Sequence, residues 1–84
     1  MLNITVYGPG CAKCKETEKR VREVVAQSGV EAEVKHASDF ADMARAGILV
    51  TPAVAINGTI KLAGRIPTTE EIRSWLLAAT AAGA

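Results

Sequence analysis

No run in this chain is apolar for long enough to cross a bilayer. The longest such stretch near the C-terminus, Trp75 to Ala82 interrupted by Thr80, falls far short of the roughly 20 residues that a spanning helix needs. The opening segment, Met1-Leu2-Asn3-Ile4-Thr5-Val6-Tyr7, has neither the basic stretch, the long apolar core nor the small-residue cleavage site of a secretory signal. Charge of one sign is also missing: ten basic against nine acidic side chains leave a net charge of +1, which argues against bulk attraction to nucleic acid or to an anionic membrane. Cysteine is scarce. Two cysteines without an export signal point to a reducing, cytoplasmic compartment, where a structural disulfide is exceptional. There is no internal repeat, linker or low-complexity tract apart from the alanine-rich end, which is expected to fray over residues 79–84.

What remains is the balance of an ordinary globular protein: 49% apolar and 23% charged residues, in a length that suits one domain over residues 1–84, expected to act as a monomer. Leu2, Ile4 and Val6 alternate with Asn3, Thr5 and Tyr7, a period-2 strand that stops at Gly8-Pro9-Gly10. From Ala12 to Ser28 the period becomes helical, with Val21, Val24 and Val25 on one side and Gly29 as a left-handed stop. Opposite charges four apart, Glu16 with Arg20, Glu18 with Arg22 and Lys19 with Glu23, support its polar face. A weaker strand follows over Glu31 to Ala37. Ser38 is then placed to cap a brief helix through Phe40, Met43 and Ala44 that leaves at Gly47. Asn57-Gly58 between Ala53–Ile56 and Thr59–Leu62 is a strong hairpin signal. Thr68-Thr69-Glu70-Glu71 reads as a capping box ahead of a helix whose buried stripe is Ile72, Trp75, Leu76 and Ala79. The order βαβαββα, with a parallel first pair and an antiparallel last pair, predicts a four-stranded mixed sheet in a three-layer α/β/α sandwich.

The chemistry is expected where the first strand gives way to the first helix. Cys11 falls at the helix cap or first turn, where free N–H groups and the helix dipole favour an anion, so its thiolate should form near neutral pH. Cys14 shares a face with Thr17, Val21 and Val25 and should point inward. Cys11 is then the nucleophile and Cys14 the resolving thiol, which must reach it across one turn to close a disulfide and release a mixed-disulfide substrate. Lys13 and Lys15 add supporting positive charge, partly opposed by Glu16 and Glu18. Three other readings compete. A structural disulfide closing a four-residue loop removes only about 2 kcal/mol of chain entropy and ties a turn the helix already makes. The same pair suits a soft metal such as copper(I) or zinc, but a closed zinc site takes four ligands, and the single histidine, His36, lies on another element. The third is a non-redox adaptor that kept the fold.

Gly8-Pro9-Gly10-Cys11-Ala12-Lys13-Cys14, Thr51-Pro52, Asn57-Gly58 and Gly64-Arg65-Ile66-Pro67 stand in an order that resembles the small glutaredoxin-like thioredoxins known as redox-active disulfide proteins, over nearly the whole chain. The resemblance implies a thioredoxin-like fold and dithiol exchange on protein disulfides. It implies no cofactor beyond the Cys11–Cys14 disulfide itself, no resident metal, and a flavin-dependent thioredoxin reductase as a partner. It also implies that Pro52 is cis and lies against the cysteine pair, with Thr51 contacting the substrate main chain. Two departures stand out: Gly10 precedes Cys11 where typical thioredoxins have Trp, and Thr5 occupies the place of their buried acid. Glutathione-using glutaredoxins often carry an aromatic in the motif and a Thr-Val-Pro, where this chain has Ala12-Lys13 and Val50-Thr51-Pro52.

Around this centre, Gly10, Tyr7 and Gly64 are candidate substrate contacts. Tyr7 ends the first strand close to the motif, and Gly64 allows close backbone approach after the fourth. Arg65 is a candidate contact for an anion or a partner. Trp75 and Phe40 are expected in the core or half-buried, and His36 on the surface at a strand end.

Overall fold

Leu2, Ile4 and Val6 turn to one side of β1 (Leu2–Tyr7) and are buried, while Asn3, Thr5 and Tyr7 turn to the other and are less so. The structure, a computed structural model, describes residues 2–10 and 12–83, with side chains through residue 80. α1 (Ala12–Ser28) follows, then β2 (Ala32–Ala37), α2 (Phe40–Arg45), β3 (Ala53–Ile56), β4 (Thr59–Ala63) and α3 (Thr69–Gly83), the βαβαββα order read from the sequence. α3 thus continues to Gly83, through most of the segment expected to fray.

The strands lie in the order β2-β1-β3-β4. β1 pairs parallel with β2, in a register that sets Val6 beside His36, and antiparallel with β3, while β3 and β4 form the Asn57-Gly58 hairpin. Asn57 takes φ +51°, and its side-chain oxygen accepts the N–H of Asn3 at 2.9 Å, so the turn is stitched to the start of β1. β3, inside the sheet, is buried along its whole length; β2 and β4, at the edges, are largely exposed.

Two apolar clusters define the layers. Leu2, Ile4, Val6, Val54 and Ile56 from the sheet meet Val21 and Val24 of α1 and Ile72 and Leu76 of α3. The smaller cluster joins Met43 of α2 to Ile48 and Ala53, with Tyr7 packed against it. Burial of large aliphatic side chains at about 25 cal/mol per Å² makes the first cluster the main source of stability. α1 buries Cys14, Thr17, Val21 and Val24, a helical stripe that includes the second cysteine of the motif. The capping box forms as read: Glu71 N–H donates to Thr68 Oγ1 at 3.1 Å, and Thr68 N–H donates to Glu71 Oε1 at 2.9 Å.

Several local expectations change. The N-cap of α2 is Asp39, not Ser38: its backbone is extended and its carboxylate accepts the Ala41 N–H at 2.8 Å. Phe40, expected to be at least half-buried, is 74% exposed. α2 is only six residues long, and Met43 takes its one inward position. Trp75 and Ala79 are half-buried against the main cluster as expected. Of the three ion pairs foreseen on α1, Glu16–Arg20 and Glu18–Arg22 form. Lys19–Glu23 is not among the ion pairs of the described residues.

Candidate active site

Between β1 and α1 the chain passes through Gly8, Pro9 and Gly10 to Cys11, the expected nucleophile, which lies outside the described residues. Gly10 takes φ +89°, a left-handed backbone that glycine adopts without a Cβ penalty. α1 then starts at Ala12 with no acidic residue in its first turn, so the positive end of its dipole is not offset there. Lys13 and Lys15 are exposed beside it. The two acids that oppose them in sequence are drawn into pairs of their own, Glu16 with Arg20 and Glu18 with Arg22 and His36.

Cys14, in the first turn of α1, is fully buried. Thr17, also buried, satisfies its hydroxyl by donating to the Lys13 carbonyl at 2.8 Å, so it leaves no unpaired polar group in that layer. The Cys14 sulfur rests on Gly8: a Cβ at residue 8 would lie 2.1 Å from Cys14 Sγ and 3.8 Å from Thr51 Cβ. The missing side chain of Gly8 therefore leaves the niche in which Cys14 and Thr51 approach each other. Gly8 is held there from two sides. Its N–H donates to the Ala37 carbonyl at 3.0 Å, and its carbonyl faces His36 Nε2 at 2.9 Å.

The Thr51–Pro52 peptide bond is cis and Pro52 is buried. The Pro52 carbonyl accepts the N–H of Gly64 at 2.9 Å, which ties this segment to the end of β4. Cys14 and Thr51 thus meet at Gly8, and Pro52 links Thr51 to Gly64. Tyr7 is set differently, on the α2 side of the sheet against Met43, Ile48 and Ala53. Beside Thr51 runs an apolar groove lined by Pro9, Phe40, Met43, Ile48 and Leu49. Phe40 and Leu49 form its exposed rim, Leu49 being 95% exposed.

Arg65 does not reach into this region as a spare cation. It forms a two-pronged pair with Glu71 at 2.8 and 2.6 Å. The Arg65 guanidinium and the Thr68 N–H together hold the Glu71 carboxyl down to about 2, and the same hydrogen bond raises Arg65. Among the described residues no group of three or more His, Cys, Asp and Glu side chains is placed to hold a metal ion, and no helix is long and apolar enough to cross a membrane.

Two positions escaped the sequence reading. Gly8 was one glycine of a Gly-Pro-Gly turn, and its close approach to Cys14 follows from how α1 docks on β1. His36 carried no local signal at all; the parallel register of β2 brings it beside the β1–α1 loop.

The family model described as the thioredoxin domain matches residues 2–77. A thioredoxin of Methanothermobacter thermautotrophicus is 37% identical over 76 residues, covering 90% of this chain and 99% of that protein. A thioredoxin of Methanocaldococcus jannaschii is also 37% identical over 76 residues, covering 90% of this chain and 87% of that protein. With the sheet order, the buried Cys14 and the Thr51–Pro52 turn in place, the chain belongs to the thioredoxin family of thiol-disulfide oxidoreductases.

Proposed function

We propose that the protein reduces disulfides of other proteins by dithiol exchange through Cys11 and Cys14. The Cys11 thiolate attacks one sulfur of a substrate disulfide, breaks that bond and expels the first substrate thiolate. Cys14 sulfur then attacks the Cys11 sulfur of the mixed disulfide and expels the second thiolate. The substrate gains two electrons and two protons, and the protein is left with a Cys11–Cys14 disulfide that a reductant must reopen. A flavin-dependent thioredoxin reductase acting on this monomer in the cytoplasm is the donor this reading implies.

The observation that carries it is the placement of Cys14: fully buried in the first turn of α1, with its sulfur against Gly8 and Thr51 on the same side of that glycine. A sulfur so placed suits the resolving step, which is internal, and not the first attack on a bulky substrate. Protein substrates are favoured by the exposed Phe40, Leu49 and Val50 beside Thr51, since single apolar residues are ordinary on a surface but a cluster at a site suggests a macromolecular contact. Thr51, Pro52, Gly10 and Gly64 shape the same region as substrate contacts, and Tyr7 supports it from the α2 side.

The test is reduction of a protein disulfide by the dithiol form, followed by the C14S variant. Wild type is expected to turn over and C14S to stop at a mixed disulfide with Cys11 that is visible by mass. Alkylation of reduced protein against pH is expected to show Cys11 ionising below the ordinary thiol value of about 8.5. No turnover, or trapping of substrate on Cys14 instead, would overturn the proposal.

A further inference from the structure

His36 is the single histidine of the chain, it sits on edge strand β2, and both of its ring nitrogens meet an oxygen. Nε2 lies 2.9 Å from the Gly8 carbonyl and Nδ1 lies 3.2 Å from Glu18 Oε1. A carbonyl and a carboxylate only accept, so the ring can satisfy both only by donating from both nitrogens, which the doubly protonated imidazolium alone does. Glu18 is itself held from its far side by Arg22 Nε at 2.9 Å, and Arg22 donates onward to the Val34 carbonyl of β2 at 3.1 Å. Among the described residues, the charged groups that face His36 are Glu18 and, through it, Arg22, both from α1. Its neighbour in β1 is the apolar Val6.

We infer that His36, braced by Glu18, is a positioning residue that pins the Gly8 carbonyl and so sets the niche of the Cys14 sulfur and the loop leading to Cys11. The inference rests on the thiol-disulfide reading and adds a residue to it. Gly8 has its N–H on Ala37 and its carbonyl on His36, both from the end of β2, so this one strand end holds the backbone against which Cys14 packs. The His36 and Glu18 side chains are about a quarter exposed, 25% and 24%, and both are polar, so the pair adds little apolar burial. Its contribution is therefore orientation, and misplacement of reacting groups by about 1 Å can cost on the order of 100-fold in rate.

The experiment compares wild type, H36A, H36Q and E18Q in three readouts: disulfide exchange with a small aromatic disulfide, equilibrium of the dithiol with a glutathione buffer, and hydrogen exchange of the Gly8 amide. H36A is expected to lose about tenfold in exchange rate, to shift the glutathione equilibrium and to expose the Gly8 amide. H36Q is expected to recover most of the rate, because its amide N–H can reach the Gly8 carbonyl without a charge. E18Q keeps the side-chain shape but removes the carboxylate that braces the ring, and is expected to slow exchange and loosen the Gly8 amide less than H36A does; it also keeps the test open if H36A does not fold. Wild-type rate, equilibrium and Gly8 protection in H36A would overturn the inference while leaving the redox function intact. A wild-type protein that fails to exchange disulfides would overturn that function, and Gly8 protection lost in H36A would still establish the tether.

Discussion

Cys14 packs its sulfur directly onto the backbone of Gly8, and the gap between them is too small for one methyl group, since a Cβ on residue 8 would stand 2.1 Å from Sγ. Gly8 cannot retreat, because its N–H and carbonyl are both engaged by the end of β2. The burden of any added atom therefore falls on Cys14, in the first turn of α1.

Replacing Gly8 by Ala is expected to cost about 1–3 kcal/mol, the range for overpacking a close-packed interior. Urea unfolding of the reduced protein measures it. An unchanged midpoint would mean that the sulfur has room to move, and the Gly8–Cys14 contact would lose its significance.

Leu49 stands 95% exposed on the rim of the groove beside Thr51, so its removal has little folding consequence. L49S should stay within about 0.5 kcal/mol of wild type. Under the proposed function it should raise KM for a protein disulfide several-fold while leaving exchange with a small disulfide alone. Equal effects on both substrates would remove the groove from substrate recognition.

The Glu71 carboxyl is held down to about 2 in the folded protein, against 4.5 for the free group, because Arg65 and the Thr68 N–H favour its charged form. A depressed folded value stabilises the protein above the unfolded value and is lost as pH falls through the folded one. Wild-type stability is thus expected to decline between about pH 4.5 and pH 2, and E71Q to flatten the curve in that window. Because the pair faces solvent, added salt should shrink the difference. A curve of the same shape in E71Q would refute the assignment.

The contrast between Ile4 and Phe40 tests which apolar side chains hold the fold. Ile4 is 1% exposed at the centre of the main cluster, and I4A is expected to cost about 2–5 kcal/mol. Phe40 is 74% exposed, and F40A should change stability by less than about 0.5 kcal/mol. Comparable losses at the two positions would place Phe40 in the core after all.

The sequence by itself determined the features whose causes are local. Alternation made β1, the helical stripe carried Cys14 inward with Val21 and Val24, Asn57-Gly58 closed the hairpin, and Thr68 with Glu71 capped α3. Each depends on residues a few positions apart, so the signal sits within one stretch of chain. Only the tertiary structure decided what depends on how distant segments meet. The docking of α1 on β1 set Gly8 against Cys14, and the parallel register of β2 brought His36, 28 residues away, to the Gly8 carbonyl. The short α2 left Phe40 outside, and the turn before α3 gave Arg65 to Glu71. Composition and periodicity specify which face of an element is apolar, whereas the partner of each face, and the last ångströms between them, are settled by packing.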